Sequence, residues 1–178
     1  SISVIPGALV QANAINYNFT GGNYALSLTA GNVKNLNFTG FAGTVNDSAM
    51  TIFGNLTLSS GMTRTAGTAA YTFASTATQY ITSNGKTLDC PVTVNGVGGT
   101  LVLNDSATIG STRLTTLTNG NIDLNGFTYT TGTFSTAAGT KGIIFNGGTF
   151  TVTGSGATAF NNAVPAGFTT TTGSANGT

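Results

Sequence analysis

Few side chains in this 178-residue sequence could do chemistry, and their types narrow that chemistry at once. The carboxylates are four aspartates with no glutamate, and histidine and tryptophan are absent. A Ser-His-Asp triad, an imidazole metal site and a glutamate acid or base are therefore excluded. What remains is acid–base work by paired aspartates beside a cation, as in glycoside hydrolysis. Asp89, Asp105 and Asp123, with Lys86 and Arg113, are the residues that could supply it. Asp89 and Asp123 stand at similar places in a repeated pattern, which would bring carboxylates onto one face. Repetition alone gives the same placement, so these residues are expected at corners and on the surface. The expectation is a protein that is not an enzyme, with no catalytic, cofactor-binding or metal-binding residue.

Other motifs reduce to structure in the same way. Asn121-Ile122-Asp123-Leu124-Asn125-Gly126 has the spacing of oxygen ligands at the start of a calcium loop. Its first ligand is Asn instead of Asp, however, and Gly132 stands where the closing Glu belongs. A strand ending in an Asn-Gly turn accounts for it. Gly96-Val97-Gly98-Gly99 lacks the lysine of a phosphate loop and reads as a turn. Cys90 is the single cysteine, so no internal disulfide can form; between Leu88 and Val92 it reads as a small buried hydrophobe. Tyr17, Tyr24, Tyr71, Tyr80 and Tyr129 could make a sugar-stacking surface if they faced outward, but their alternating strand positions favour core or partial burial. Asn18, Asn37, Asn46, Asn55 and Asn104 match the N-glycosylation pattern, as composition alone would produce in so Asn- and Thr-rich a chain.

The elements that must position these residues are short strands. Only 5% of the chain is charged, while Thr, Ser, Asn and Gly are abundant, so the long polar side chains of a solvated helix are missing. With 39% hydrophobic residues and three prolines the chain is neither collagen-like nor disordered. Lys34, Arg64, Lys86, Arg113 and Lys141 are isolated from one another and form no basic stripe, which argues against nucleic acid as a partner. No apolar run approaches the roughly 20 residues of a membrane-spanning helix. The sequence starts at Ser1 without a signal-like segment, which reads as a processed chain or an excerpt of a longer one.

Apolar residues alternate with small or polar ones through Ile15-Tyr17-Phe19, Tyr24-Leu26-Leu28, Leu36-Phe38, Met50-Ile52, Leu56-Leu58 and Tyr71-Phe73, and Tyr80-Ile81 marks another strand. Ile2, Val4 and Ile5 make an opening strand that Pro6-Gly7 stops, Leu9-Val10 resumes it, and Arg64 to Thr68 reads as an irregular corner. Asn37-Phe38-Thr39-Gly40 repeats Asn18-Phe19-Thr20-Gly21 one interval later, a candidate coil length. From Ser83 to Gly156 an Asn-Gly pair recurs, at Asn84-Gly85, Asn119-Gly120 and Asn146-Gly147, each followed by an alternating strand. Counted from the first glycine of each repeat, Val92 and Val94 fall where Phe127 and Tyr129 fall.

Two all-β folds meet this description. One is a single-domain parallel β-solenoid over residues 1–160, with 161–178 a low-complexity tail, linker or start of further coils. The other is an antiparallel β-sandwich, for which Asn-Gly would be a hairpin signal. Recurrence at about 20 to 35 residues with glycine or Asn at the corners favours the solenoid, of about seven coils at about 25 residues each.

The run Leu114-Thr115-Thr116-Leu117-Thr118-Asn119-Gly120-Asn121-Ile122-Asp123-Leu124-Asn125-Gly126-Phe127-Thr128-Tyr129, continued by Gly147-Gly148-Thr149-Phe150-Thr151-Val152-Thr153-Gly154, resembles repetitive β-solenoid proteins. These occur on phage virions as tail or capsid fibres and in bacterial adhesins of the autotransporter type; the phage-like resemblance is the closer. It covers roughly residues 80 to 160, with a weaker echo in 14 to 61. It implies a virion-surface structural and attachment protein that self-associates as a trimer or filament, meets other virion or surface proteins, and takes a host-surface glycan. A secreted adhesin or extracellular filament subunit is the second expectation, and a β-helix polysaccharide-degrading enzyme the third. No catalytic residue carries over from the resemblance.

Overall fold

The computed structural model describes residues 2–4 and 10–173, and it is a parallel β-solenoid of about 6 turns. Every pairing is parallel, which removes the sandwich. The turns number about one fewer than the sequence suggested. Among the described residues the one helical element is a 3-10 turn at Gln11–Asn13, where a resumed strand was expected to begin at Leu9-Val10. Ile5 to Leu9, including the Pro6-Gly7 stop, lie outside the described residues.

Each turn contributes a strand to each of three faces. The first face stacks Ile2–Val4, Ala25–Leu28, Thr44–Asn46 and Thr63–Arg64. After a break at residues 65–70 it resumes with Thr87–Leu88, Ala107–Ile109, Thr128–Thr131 and Thr149–Val152. The second face runs from Gly31–Val33 through Met50–Ile52 and Tyr71–Phe73 to Phe160–Asn161, and the third from Tyr17–Asn18 through Leu36–Asn37 and Leu56–Thr57 to Phe168–Thr171. Two long strands, Val92–Leu103 and Leu114–Asp123, cross the corner and join the second and third faces into one sheet.

Side chains pointing into the coil form ladders because parallel register places like positions above one another. On the second face Met50, Tyr71 and Val92 stack, as do Ile52, Phe73, Val94 and Leu117. On the third, Leu36, Leu56, Ile81 and Leu103 do so. All are buried, each contributing on the order of 1.5–3 kcal/mol. The repeated Asn-Phe-Thr-Gly motif is one such step: Asn37 pairs with Asn18, its amide reaches Asn18 Oδ1 at 3.3 Å, and Phe19 stacks on Phe38 at 5.4 Å. Those asparagines are 19 residues apart, whereas Thr136 and Asn162, bonded between the last two turns, are 26 apart. Coil length thus varies from turn to turn, and a late pair such as Leu114 and Thr133 is again only 19 residues apart.

The Asn-Gly corners have a common mechanism. Asn84, Asn125 and Asn146 adopt φ of 49°, 49° and 44°, each followed by a glycine at 75°, 82° and 78°. Asn tolerates this left-handed region better than other side chains. Each Asn amide then donates to the turn before it: Asn84 to Leu58 O, Asn125 to Leu103 O and Asn146 to Asp123 Oδ1. The corner residue is therefore also a rung between coils. Asn119-Gly120 differs, lying within the strand Leu114–Asp123. The alignment of Val92 and Val94 with Phe127 and Tyr129 is corrected accordingly: Val92 and Val94 pair with Tyr71 and Phe73 on the second face, Tyr129 with Phe150 on the first.

Other expected strands are also divided. The run from Val33 to Gly40 turns a corner at Lys34-Asn35, between Gly31–Val33 and Leu36–Asn37. Ladder pairing passes the boundary drawn at residue 160, since Lys141 to Ile144 pair with Phe168 to Thr171. The buried ammonium of Lys141 secures this last turn, donating to Gly139 O and Ala166 O, both at 2.9 Å. Residues 174–178 of the expected tail lie outside the described residues.

Candidate functional site

The aspartates singled out by chemistry do not converge. Asp89 follows Thr87–Leu88 at the corner between the first and second faces and pairs with Arg113 at 2.7 Å. Asp105 lies at the corner between the third and first faces, accepting the backbone N–H groups of Ser83 and Asn84 at 2.7 and 2.6 Å. Asp123 ends a third-face strand and accepts from the Asn125 N–H and twice from the Asn146 amide. Asp89 and Asp123 therefore do not occupy equivalent places, and only Asp89 contacts Arg113. The groove with two aspartates around Arg113 or Lys86 that a glycoside-cleaving site needs is not formed among the described residues. Of the suggested ligands between Asn121 and Gly126, the Asp123 carboxylate accepts corner hydrogen bonds and Asn125 donates to the turn before it, and among the described residues no group of three or more His, Cys, Asp or Glu gathers.

Sequence reasoning missed the most concentrated polar cluster. Asp47 and Arg64 meet inside the coil at 2.6 Å, with side chains 2% and 5% exposed. The Tyr71 hydroxyl donates to Asp47 Oδ1, the Arg64 guanidinium lies 4.9 Å from the Tyr71 ring centre, and Arg64 Nη2 approaches Cys90 Sγ at 3.7 Å. Arg64 Nη1 is buried without a partner. Asp47 lies in a polar Asn46-Asp47-Ser48 run and Arg64 opens the expected irregular corner; their 17-residue separation, close to one early coil, is the only sequence signal that joins them. The cluster sits where the first-face ladder breaks, and there the Gly67 N–H bonds Asp89 O to carry the stack across.

Burial pushes the Tyr71 phenol well above its usual value, against the opposing pull of Arg64, and Asp47 adds to the rise. Burial likewise pushes the Cys90 thiol up despite Arg64. Burial alone would lower the Arg64 guanidinium, but Tyr71, Asp47 and Cys90 outweigh it and leave it raised. Both acids with raised values favour the folded state while protonated. Their contribution is complete below the ordinary thiol and phenol values of 9.0 and 10.0, and it drains away above them as the unfolded chain ionises first. With no histidine to titrate, the melting temperature is expected to stay level from about pH 6 to 8 and to fall above about pH 10. Thermal scans across pH check this; a level profile through pH 11 would remove the buried acids from the account.

The tyrosines divide. Tyr71 and Tyr129 are fully buried, Tyr129 against Thr115 Oγ1 at 3.0 Å, while Tyr17 and Tyr24 are half-buried and Tyr80 is 39% exposed. They form no common outward surface.

A groove of about 500 Å³ opens where the second face turns into the third. Successive corners build it: Lys34-Asn35, then Phe53-Gly54-Asn55, then Ser75 to Thr78. The 3-10 turn walls one side, with Gln11 tied to Thr76 through Gln11 Nε2 to Thr76 Oγ1 and Thr76 N to Gln11 Oε1, both at 3.2 Å. On the floor, Asn35 donates to Asn16 Oδ1 at 2.7 Å and accepts the Asn55 N–H at 2.6 Å, and Asn55 Oδ1 accepts the Tyr80 N–H at 2.9 Å. Glycine at 54 is required, because a Cβ there would collide with Asn35 Oδ1 and lie 2.7 Å from the Lys34 carbonyl oxygen.

Charge is otherwise consumed inside the fold. Asp47, Arg64, Asp89, Arg113, Asp105, Asp123 and Lys141 all bond within or between turns. Among the described residues, only the side chains of Lys34 and Lys86 are charged without a hydrogen-bond or ion-pair partner, and Lys34 lies on the groove. No protein-family model matches the chain, and neither a curated protein nor a solved structure is significantly similar to it.

Proposed function

We propose that this solenoid is a non-enzymatic structural and attachment module on a virion surface, of the phage tail-fibre, capsid-fibre or decoration type. The observation that carries the reading is the use of charge: seven of nine charged side chains hold turns together, leaving an outer surface of hydroxyls and carboxamides on a parallel ladder. Such a surface changes little with pH or salt, which suits an exposed rod. Self-association, as a trimer or end to end, belongs to the same reading, because apolar side chains exposed on successive turns offer a second copy a surface to cover. Tyr80 is 39% exposed, Val97 68% and Leu114 38%.

Those exposed apolar side chains also favour a second reading, a secreted adhesin or filament subunit in which they are the polymerising surfaces. Electron microscopy of the native assembly, with this chain located by antibody labelling, separates the two. Label on spikes or fibres of capsids or tails is expected. Label on continuous cell-derived filaments with no virion would overturn the virion reading. The polysaccharide-degrading alternative predicts turnover of anionic glycans that is lost in Asp123→Asn or Arg113→Ala; the separated aspartates lead us to expect none.

A further inference from the structure

We propose that the groove between the second and third faces is a binding site for a carboxylate-bearing oligosaccharide, with Lys34 as its anion contact. This rests on the attachment reading and names the class of ligand and the place. Three features point the same way. First, the lining holds one cation, Lys34, and no carboxylate, and that ammonium has no protein partner among the described residues. Every aspartate is committed elsewhere, at Arg64, Arg113, the Ser83-Asn84 backbone or Asn146. An acidic group entering the groove therefore meets attraction without repulsion.

Second, the floor is held in place before any ligand arrives. Asn35 and Asn55 are fixed by hydrogen bonds to neighbouring turns, so their remaining polar valences face a ligand at little entropic cost. Asn55 Oδ1 is taken by the Tyr80 N–H, which leaves its amide hydrogens as donors to sugar hydroxyls. Third, half-buried Phe53 brings an apolar ring to a groove otherwise lined by amides and hydroxyls. A ring beside amides suits a saccharide, whose C–H face packs on the aromatic while its hydroxyls bond the amides. A peptide or nucleic acid would need more charge than one lysine.

A single lysine and one ring give weak monovalent binding, which repetition of the module on an assembly would multiply. The test is titration of the intact protein with a hexuronic-acid tetrasaccharide and with its carboxyl-reduced, neutral counterpart, read by ligand-observed NMR and calorimetry. The acidic sugar is expected to bind the better, with Lys34→Gln weakening it roughly tenfold and leaving the neutral sugar unchanged. Phe53→Ala is expected to weaken both, and circular dichroism checks that each variant folds. Lys86→Gln, which removes the other unpaired cation away from the groove, is expected to change nothing. Equal affinity for both sugars, no binding at millimolar concentration, or acidic-sugar binding that survives Lys34→Gln would each overturn the assignment. Adsorption of the protein to host cells separates the two levels: adsorption retained in Lys34→Gln and Phe53→Ala would keep the attachment reading and reject this groove, whereas no adsorption by the unmodified protein would count against attachment itself.

Discussion

Asp47→Ala is expected to destabilise the protein by about 3–5 kcal/mol, a fall in melting temperature of about 6–20 °C for a chain of this size. The reason is what it leaves behind. Arg64 is 5% exposed at its side chain, already carries one unpartnered nitrogen, and would lose its counter-charge while remaining buried against Tyr71 and Cys90. Tyr71 would lose the acceptor of its hydroxyl in the same step. The effect is a cost of isolation and not the net worth of the pair, which separates this account from a simple tally of contacts. The double variant Asp47→Leu, Arg64→Met is therefore expected to regain most of the loss, since removing both charges also removes their desolvation. Differential scanning calorimetry of the three proteins decides. A fall below 2 °C in the single variant, or a double variant worse than the single, would mean that water reaches the cluster and that the pair is not isolated from solvent.

The second large effect is expected at Phe134, where the loss should be local. Phe134 is fully buried and stacks on Phe160 at 4.9 Å, meets Phe150 edge-on at 5.1 Å and lies 6.3 Å from Phe168. These aromatics belong to the final turn. Phe134→Ala deletes a ring worth about 3–5 kcal/mol in a packed core. In a solenoid each turn touches only its neighbours, so stability is close to a sum of adjacent interfaces. The last turn is expected to open while the earlier ones hold. Hydrogen exchange read by peptide should show protection lost in Thr149–Val152, Phe160–Asn161 and Phe168–Thr171 but kept in Met50–Ile52 and Tyr71–Phe73. Uniform loss along the whole ladder would replace the nearest-neighbour description with a single cooperative unit.

These two sites differ in how readily the sequence announced them. The final turn was visible as Phe150-Thr151-Val152 after an Asn-Gly pair, because two-residue alternation encodes which side chains point inward. Phe19 and Phe38 hold the same place in the repeated Asn-Phe-Thr-Gly motif, and they stack. Asp47 and Arg64 carried no such mark. Charged residues in a chain of this composition are expected at the surface, and whether an inward-facing Asp meets an inward-facing Arg depends on the length of the turn between them.

Composition and local pattern by themselves determined the all-β class, the near absence of helix, the spacing of early turns and the use of Asn-Gly at corners. Each of these follows from forces acting within a few residues: helix propensity, strand alternation and tolerance of positive φ. Tertiary structure alone decided the rest. Turn length varies irregularly between 19 and 27 residues, so no fixed period predicts which residues stack. That variation placed Asp89 and Asp123 at different corners, brought Asp47, Arg64, Tyr71 and Cys90 together from three turns, and aligned Lys34, Phe53 and Ser75 along one groove. Register between turns is set by how many residues each corner takes up, and that is settled only when the inward ladders pack against one another.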